Sequence, residues 1–292
     1  MNNLFALLRI KQWTKNFICF AGILFSGYIT NLEFWQLTTK VFFCFALVSS
    51  SVYIFNDIID MDSDAVHPKK KNRPIASGQI SIEFGLIIGF ILLISGLFGA
   101  IFFSFKTFII LLLYLMNNFF YSIYLKTIPI ADVFSISFGF ILRLLAGIYI
   151  IGELPTAWIL LCTMFMTLFL GFSKRWAELN SINNLSKNNF MQRKVLKEYS
   201  SSFLKSLIND SSLGALLSYS LFTVASNKSP NLILTVPIVY YAIAYYRKLL
   251  FEKKHGEEPD LILLNDKFLI LIIAFWLICY LALEKINHKI IL

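Results

Sequence analysis

A group of acidic side chains at the end of a long apolar run has the types and the spacing for metal chemistry. Asp57, Asp60 and Asp64 follow one another at intervals of three and four residues, and Asn56 lies one turn from Asp60. In a helix this spacing places the three carboxylates on one face. Like charges so close repel one another, and at the mouth of an apolar span they are also partly desolvated. We therefore expect a cation between them, and oxygen ligands without His or Cys favour Mg²⁺.

A basic stretch follows the carboxylates directly. Lys69, Lys70, Lys71 and Arg73 come after a His-Pro pair at 67–68, where the proline ends the helix. A metal on one side and cationic donors on the other suit a Mg²⁺-bound diphosphate. The alternatives are a solvated acidic helix end and a basic anchor at the membrane surface. The two stretches side by side favour the binding of a phosphorylated substrate.

The rest of the chain indicates a membrane protein that positions these groups. Of 292 residues, 58% are hydrophobic and 15% are charged, and the apolar residues fall in long blocks. A soluble domain of this size needs more polar surface, so that class is excluded. A helix needs about twenty apolar residues to cross the hydrocarbon layer. By this criterion we predict nine spans, at residues 17–31, 38–59, 84–105, 107–125, 130–151, 156–173, 204–225, 231–250 and 268–286.

The placement of Lys and Arg predicts the orientation of these spans. Of the 26 Lys and Arg residues, few fall in the segments assigned to the outer side. Those few are Lys40, Lys106, Lys228, Lys285 and Lys289. Because cytoplasmic loops are enriched in Lys and Arg, we predict a cytoplasmic N-terminus and cytoplasmic loops at 60–83, 174–203 and 251–267, in the plasma membrane. The net charge of +9 then reflects topology and gives no reason to invoke nucleic acid.

The acidic and basic stretches together resemble a known family. The run NDIIDMDSDAVHPKKKNRPIASGQIS, at 56–81, is similar to the first Asp-rich motif, NDxxDxxxD, of the UbiA superfamily of intramembrane prenyltransferases. The resemblance implies an all-α fold in a single domain, 1–292, with nine transmembrane helices around a cavity that faces the cytoplasm and is open to lipid. It also implies an enzyme that uses Mg²⁺, held by Asp57, Asp60 and Asp64 as the catalytic carboxylates.

Further segments resemble one branch of this superfamily, the polyprenyl-phosphate phosphoribosyltransferases. They are RIKQWTKN at 9–16, HPKKKNRPIA at 67–76, YSIYLKTIPIADVFSISFGFILRLLAG at 121–147, LGFSKRWAEL at 170–179 and GEEPDLILLNDKF at 256–268. The aromatic prenyltransferases of the superfamily are expected to carry a second Asp-rich motif after the sixth span. Here that place reads SKRWAE at 173–178, whose two cations and single carboxylate suit phosphate binding better than a second metal.

The resemblance implies a reaction and a set of substrate-binding residues. The chain would transfer 5-phosphoribose from 5-phosphoribosyl 1-diphosphate to a polyprenyl monophosphate, for cell-envelope glycan synthesis. The predicted substrate-binding residues are Asn56, Lys15, Lys70, Arg73, Tyr121, Tyr124, Lys126, Asp132, Arg143, Lys174, Arg175 and Glu178. Lys70 and Arg73 are expected on the phosphates of the donor, and Lys174 with Arg175 on the acceptor phosphate.

The sequence leaves two interpretations open for some of these residues. Tyr121 and Tyr124 either line the cavity or anchor the chain at the membrane surface, and Lys15 either anchors it or contacts phosphate. Arg143 lies deep in the fifth span, so it forms a structural ion pair or acts near the path of the lipid phosphate. The acidic stretch at 257–266 is either a solvated surface or a cap over the site.

Two rival functions also stay open. The first is an aromatic prenyltransferase of the same superfamily, such as one acting on 4-hydroxybenzoate, which a second carboxylate cluster after the sixth span would favour. The second is a transporter or scaffold, although transporters tend to place charges at mid-membrane and to show repeated halves, and the sequence contains no repeat. The sequence does not determine the oligomeric state, so a homo-oligomer stays open.

Overall fold

Regular structure in the described part of the chain is helical, in agreement with the all-α prediction. The computed structural model describes residues 2–66, 70–184, 194–225, 228–252, 262 and 265–285. The helices in these ranges are α1 (Asn2–Leu8), α2 (Ala21–Ser26), α3 (Leu32–Ile59), α4 (Met61–Ala65), α5 (Ile82–Phe103), α6 (Phe105–Ile123), α7 (Ala131–Ile150), α8 (Ala157–Asn184), α9 (Ser201–Ala225), α10 (Val236–Glu252) and α11 (Lys267–Lys285). 3₁₀ helices cover Ile10–Phe20, Lys70–Asn72, Leu125–Thr127, Lys194–Glu198 and Pro230–Thr235. Lys69 and most of the acidic stretch at 257–266 lie outside the described residues.

Six helices within the described ranges are long and apolar enough to cross a membrane. They are α3, α5, α6, α7, α8 and α11, and they match the second to sixth and the ninth predicted spans. The seventh and eighth predicted spans are helical as well, in α9 and α10. However, α9 carries Lys205, Asn209, Asp210 and several serines, and α10 has 17 residues. Nine spans and the cytoplasmic orientation therefore stay predictions.

The first predicted span, 17–31, is not one continuous helix. Its beginning lies in the 3₁₀ helix Ile10–Phe20, and the short helix α2 follows. Gly27 then ends α2 with a φ of 81°, in the left-handed region that glycine adopts without steric cost. The apolar composition of 17–31 was the reason for predicting a span, but composition does not report where such a glycine ends the helix.

Helix α8 extends to Asn184, well beyond the predicted end of its span at residue 173. Trp176 and Ala177 are buried along this extension, so one face of the helix packs against the core and supports the added turns. The predicted loop 174–203 thus begins as helix, and the residues around Lys174 are placed by a regular element.

The chain forms two compact units. Unit 1 contains Met1–Lys126 and Phe138–Pro155, and unit 2 contains Thr127–Ser137 and Thr156–Leu292. The core of unit 1 lies where α3, α5, α6 and the second part of α7 pack, and it includes Phe45, Val48 and Leu111. The core of unit 2 is formed chiefly by α8, α9 and α10, and it includes Phe169 and Leu204.

Within unit 1, the 3₁₀ helix Ile10–Phe20 lies directly on the backbone of α7. A side chain at Gly147 would place its Cβ 1.9 Å from the carbonyl oxygen of Cys19, so this position requires glycine. One turn earlier on α7, the Nε of Arg143 donates a hydrogen bond of 2.7 Å to Asn16 in the same 3₁₀ helix. Both contacts fix the N-terminal segment in place.

Candidate active site

Asp57 lies in the last turn of α3, and its carboxylate is buried. Two guanidinium groups bind the same oxygen of it: Arg9 donates a hydrogen bond to Oδ1, and Nη1 of Arg73 lies 3.0 Å from that atom. A buried carboxylate is costly unless charges and hydrogen bonds compensate it. Cations from two different segments of unit 1 therefore compensate the buried carboxylate of Asp57.

Arg73 also binds Asp64, so one guanidinium joins two of the predicted catalytic carboxylates. Its Nη1 donates to Oδ2 of Asp64 as well as to Asp57, and Nζ of Lys70 lies 3.6 Å from Oδ1 of Asp64. The acidic and basic stretches thus fold onto each other. Asp57 and Asp64 converge on a single cationic nitrogen.

Asp60 is placed differently, because the helix breaks there. It lies between α3 and α4 with φ −92° and ψ 6°, outside helical geometry. Its Oδ1 accepts a hydrogen bond of 3.1 Å from Nζ of Lys126. The sequence predicted all three carboxylates on one face of a continuous helix. In the structure the helix breaks at Asp60, and this carboxylate binds a different cation from the other two.

The carboxylates have the oxygen ligands that a divalent cation prefers, and two of them are arranged to hold one. No group of three or more His, Cys, Asp and Glu side chains among the described residues is arranged to hold a metal. Asp57 and Asp64 nevertheless bring hard oxygen donors to one point, which a guanidinium nitrogen takes up. A cation such as Mg²⁺ uses few carboxylates and completes its shell with water and phosphate oxygens. The pair Asp57 and Asp64 would hold it, with Asp60 close in sequence.

The end of α6 is tied to the end of α3 by polar contacts. Ser122 donates a hydrogen bond of 2.6 Å to Oδ1 of Asn56, and Lys126 pairs with Asp60 just beyond. Tyr121 is half-buried and Tyr124 is exposed beside them. Asn56 and Lys126 therefore lie in the same part of unit 1 as the carboxylates, and Ser122 is a contact that the sequence did not indicate.

Arg9 is a member of this group that the sequence analysis missed. No local spacing connects it with Asp57, 48 residues later. The available signal was its position at the start of RIKQWTKN, a segment that resembles the family. Its guanidinium also lies 5.1 Å from the ring centroid of Tyr53, a cation–π contact. We call Arg9, Asp57, Asp60, Asp64, Lys70, Arg73 and Lys126 the unit 1 ion cluster.

Arg143 is buried and surrounded by neutral groups. Its guanidinium donates hydrogen bonds to Asn16, to the Gly139 carbonyl and to the Tyr114 hydroxyl, all between 2.7 and 2.8 Å. Two roles were left open for Arg143, and one of them was a structural ion pair. Arg143 forms no ion pair with a carboxylate of the described residues. Lys15, beside Asn16 on the 3₁₀ helix, is half-buried.

Unit 2 contains a second group of charged side chains, on the extension of α8 and the start of α7. Nε of Arg175 lies 2.6 Å from Oδ2 of Asp132, and its Nη1 lies 2.9 Å from Oε2 of Glu178. Arg175 and Asp132 are both fully enclosed, with side-chain exposures of 2% and 0%. Lys174, next along α8, is half-buried. The guanidinium predicted to bind the acceptor phosphate thus has two carboxylate partners in this structure.

Tyr199 completes this group and was also missed by the sequence analysis. Its hydroxyl donates a hydrogen bond of 2.9 Å to Oδ1 of Asp132 and accepts one from the backbone N–H of Ile130. Burial raises the pKa of Tyr199 above its ordinary value, so the hydroxyl remains a donor at neutral pH. We call Asp132, Arg175, Glu178 and Tyr199 the unit 2 ion cluster.

Several curated relatives of the chain are decaprenyl-phosphate phosphoribosyltransferases. The chain is 27% identical over 276 residues to decaprenyl-phosphate phosphoribosyltransferase of Mycobacterium tuberculosis, covering 92% of this chain and 90% of that protein. It is 29% identical over 286 residues to the protein of the same name from Corynebacterium glutamicum, covering 93% and 83%. The similarity extends over more than four-fifths of each protein.

Solved structures share the fold. A UbiA homologue from Archaeoglobus fulgidus bound to GPP and Mg²⁺ matches with a TM-score of 0.72 at 18% identity, covering 97% of this chain and 100% of that one. The structure of digeranylgeranylglyceryl phosphate synthase matches with a TM-score of 0.66 at 19% identity, covering 97% and 99%. The model of the UbiA prenyltransferase family matches residues 16–272. The chain, an integral membrane protein with the fold of these structures, therefore belongs to the UbiA prenyltransferase family.

Proposed function

We propose that this protein transfers 5-phosphoribose from 5-phosphoribosyl 1-diphosphate to a polyprenyl monophosphate. The products are polyprenyl-phospho-5-phosphoribose and diphosphate, and the lipid product would serve cell-envelope glycan synthesis. The observation that carries the proposal is the similarity to decaprenyl-phosphate phosphoribosyltransferases over more than nine-tenths of this chain. The predicted cytoplasmic orientation agrees with a water-soluble, phosphorylated donor.

The unit 2 ion cluster supports this reaction over transfer of a prenyl group to an aromatic acid. That alternative is expected to need a second Asp-rich motif after the sixth predicted span. Two carboxylates in this part of the described chain, Asp132 and Glu178, are both bound by Arg175, and Glu198 is exposed. A carboxylate that already neutralises a buried guanidinium is a poor ligand for a second metal, because the guanidinium would be left without its counter-ion.

The unit 1 ion cluster supplies the groups that the departing diphosphate needs. In the reaction, the bond from C1 of ribose to the diphosphate oxygen breaks and an oxygen of the acceptor phosphate bonds to C1. Asp57 and Asp64, with Asp60 close in sequence, would hold Mg²⁺, which would supply positive charge for the leaving diphosphate. Arg73 and Lys70 donate hydrogen bonds to its remaining oxygens or to the 5-phosphate. The acceptor phosphate is already an anion, so no strong general base is required.

The other predicted residues receive roles in binding and positioning. Asn56, Tyr121, Tyr124 and Lys126 would contact the sugar or its phosphate, in the part of unit 1 where they lie. In unit 2, Lys174 would donate to the acceptor phosphate. Asp132, Arg143, Arg175 and Glu178 would act by holding elements in place, because the first three are enclosed and Glu178 binds Arg175. Lys15 would anchor the N-terminal segment.

The decisive test is a transfer assay with the purified protein in detergent or vesicles. Polyprenyl phosphate, Mg²⁺ and ribose-labelled 5-phosphoribosyl 1-diphosphate are supplied, and label in the organic phase is measured. Label entering the lipid supports the proposal, and omission of polyprenyl phosphate should abolish it. Transfer that requires a prenyl diphosphate and an aromatic acid instead would show that the protein is an aromatic prenyltransferase.

A further inference from the structure

The N-terminal segment lies along one face of α3 and brings Arg9 to the carboxylates. Nε1 of Trp13 donates a hydrogen bond of 3.0 Å to the Ser50 hydroxyl, which donates one of 2.8 Å to the carbonyl of Leu8. One turn further along α3, the Arg9 guanidinium lies over Tyr53, and another turn further it binds Asp57. Positions 50, 53 and 57 share a helix face. The approach of Arg9 to Asp57 is thus fixed by several independent contacts.

The backbone of Arg9 has an unfavourable conformation. Its φ of 49° and ψ of 48° lie in the left-handed region, and Ile130 is the only other non-glycine residue with positive φ in the described part of the chain. Side chains other than glycine avoid this region for steric reasons, and such residues cluster at functional sites. The turn separates α1 from the 3₁₀ helix, at the residue whose side chain enters the unit 1 ion cluster.

The charges of the unit 1 ion cluster are unbalanced. Its three carboxylates are bound by four cations, from Arg9, Lys70, Arg73 and Lys126. A divalent cation added alone would increase the excess of positive charge and would compete with these side chains for the carboxylate oxygens. A diphosphate added with it brings oxygens that the displaced side chains can bind. The cluster therefore favours the metal and the diphosphate as a pair over the metal alone.

Within this cluster Arg9 and Arg73 have different positions. Arg73 binds both Asp57 and Asp64, so it retains one carboxylate when it releases the other. The carboxylate that Arg9 binds in the cluster is Asp57. A metal that takes Asp57 consequently replaces the charge of Arg9 most directly, and Arg9 then needs another anion close by.

We propose that Arg9 is a further substrate-binding residue, which neutralises Asp57 in the ligand-free protein and transfers its hydrogen bonds to the diphosphate when a metal binds Asp57. The inference rests on the metal–diphosphate site of the proposed function and not on the identity of the donor or acceptor. Arg9 would thereby link the two binding events, so that each of the two ligands strengthens the binding of the other.

The experiment compares the wild-type protein with Arg9→Gln and with Lys11→Gln as a matched control. Lys11 is exposed two residues away, so its substitution removes the same charge from the same segment outside the cluster. Mn²⁺ takes the oxygen ligands that Mg²⁺ takes, and its binding to the purified full chain can be followed by electron paramagnetic resonance. The dissociation constant of Mn²⁺ is measured without diphosphate and with saturating inorganic diphosphate. The first constant divided by the second is the ratio that reports the coupling.

Arg9→Gln should bind Mn²⁺ alone more tightly, because a competitor is removed, and should bind it with diphosphate more weakly. Loss of a charge-assisted hydrogen bond predicts a fall in the ratio of about tenfold or more. Lys11→Gln should keep the wild-type ratio. A ratio unchanged in Arg9→Gln overturns the proposal and leaves Arg9 as a clamp that holds the N-terminal segment.

A second variant keeps the test valid if Arg9→Gln does not fold, as thermal unfolding will reveal. Arg9→Lys retains the charge but loses the planar fork, so the ratio should fall by a smaller factor than in Arg9→Gln. A wild-type ratio in a folded Arg9→Lys overturns the proposal in that case. Neither measurement contains a phosphoribosyl donor or a lipid acceptor, so failure of the transfer assay and failure of this inference are distinguishable.

Discussion

The two ion clusters use the same types of side chain in different environments. In the unit 1 ion cluster, Arg73 and Lys70 are 26% and 33% exposed, although the carboxylates that they bind are buried. In the unit 2 ion cluster, Arg175 is 2% exposed and Asp132 is not exposed at all. Water and incoming anions can therefore reach the cations of unit 1, whereas the central pair of unit 2 is sealed.

This difference separates charges that can change partners from charges that are fixed. An exposed cation loses little when it exchanges a carboxylate for a phosphate oxygen, because solvent and the new anion both stabilise it. A cation in an enclosed pair cannot exchange its carboxylate for a phosphate oxygen in this way, since separation of the pair leaves a charge buried without compensation. We expect substitutions in unit 1 to change catalysis and ligand binding, and substitutions of the enclosed pair in unit 2 to change stability.

The largest effect is expected for Asp57→Asn. The amide is similar in size but cannot neutralise a metal, so turnover in the transfer assay should fall by about 10³-fold. The thermal unfolding midpoint should change little, because Arg73 keeps Asp64. The exposed Asp62→Asn serves as the control and should retain activity. Full activity in Asp57→Asn would remove this carboxylate from the metal site.

Asp132→Asn should destabilise the protein by about 3–5 kcal/mol, because it leaves the buried Arg175 without its closest anion. The measurement is the free energy of unfolding in detergent, compared with that of Asp57→Asn. Activity per folded molecule should fall much less than for Asp57→Asn. A stable Asp132→Asn protein with no activity would contradict the distinction between the two clusters and place Asp132 in contact with substrate.

A smaller effect is expected for Lys174→Ala, which tests whether the half-buried cation beside the sealed pair acts in binding. Loss of one charge-assisted hydrogen bond should raise the KM for polyprenyl phosphate by about tenfold and leave that for the ribose donor unchanged. Lys197→Ala, at an exposed position of unit 2, is the matched control. If both KM values stay at the wild-type level, Lys174 has no role in acceptor binding.

The smallest effect is expected for Ser122→Ala, which removes the hydrogen bond to Asn56. A single neutral hydrogen bond contributes about 1 kcal/mol, so the KM for the ribose donor should rise by only a few fold. The expected cause is a less fixed Asn56 at the rim of the unit 1 ion cluster. An effect as large as that of Asp57→Asn would show that Ser122 contacts the substrate itself.

The sequence predicted elements that depend on local pattern and missed contacts that depend on the fold. Continuous apolar runs predicted α5 and α6 to within two residues at each end, because a span is a property of local composition. The break at Asp60 was missed, since residues 57–64 alone fit a continuous helix. The contacts of Arg9 with Asp57 and of Arg175 with Asp132 connect residues 48 and 43 positions apart, beyond any helical spacing.

The hydrogen bond between Arg143 and Asn16 has a consequence for how the protein is made. The two residues are 127 positions apart, so the ribosome synthesises Asn16 on the order of ten seconds before Arg143. Tyr114, another partner, is also made earlier. An arginine at the centre of an isolated span costs about 2.5–3.5 kcal/mol to insert. Because Asn16 and Tyr114 have already been synthesised when α7 leaves the ribosome, the order of synthesis itself lowers the cost of inserting this charge.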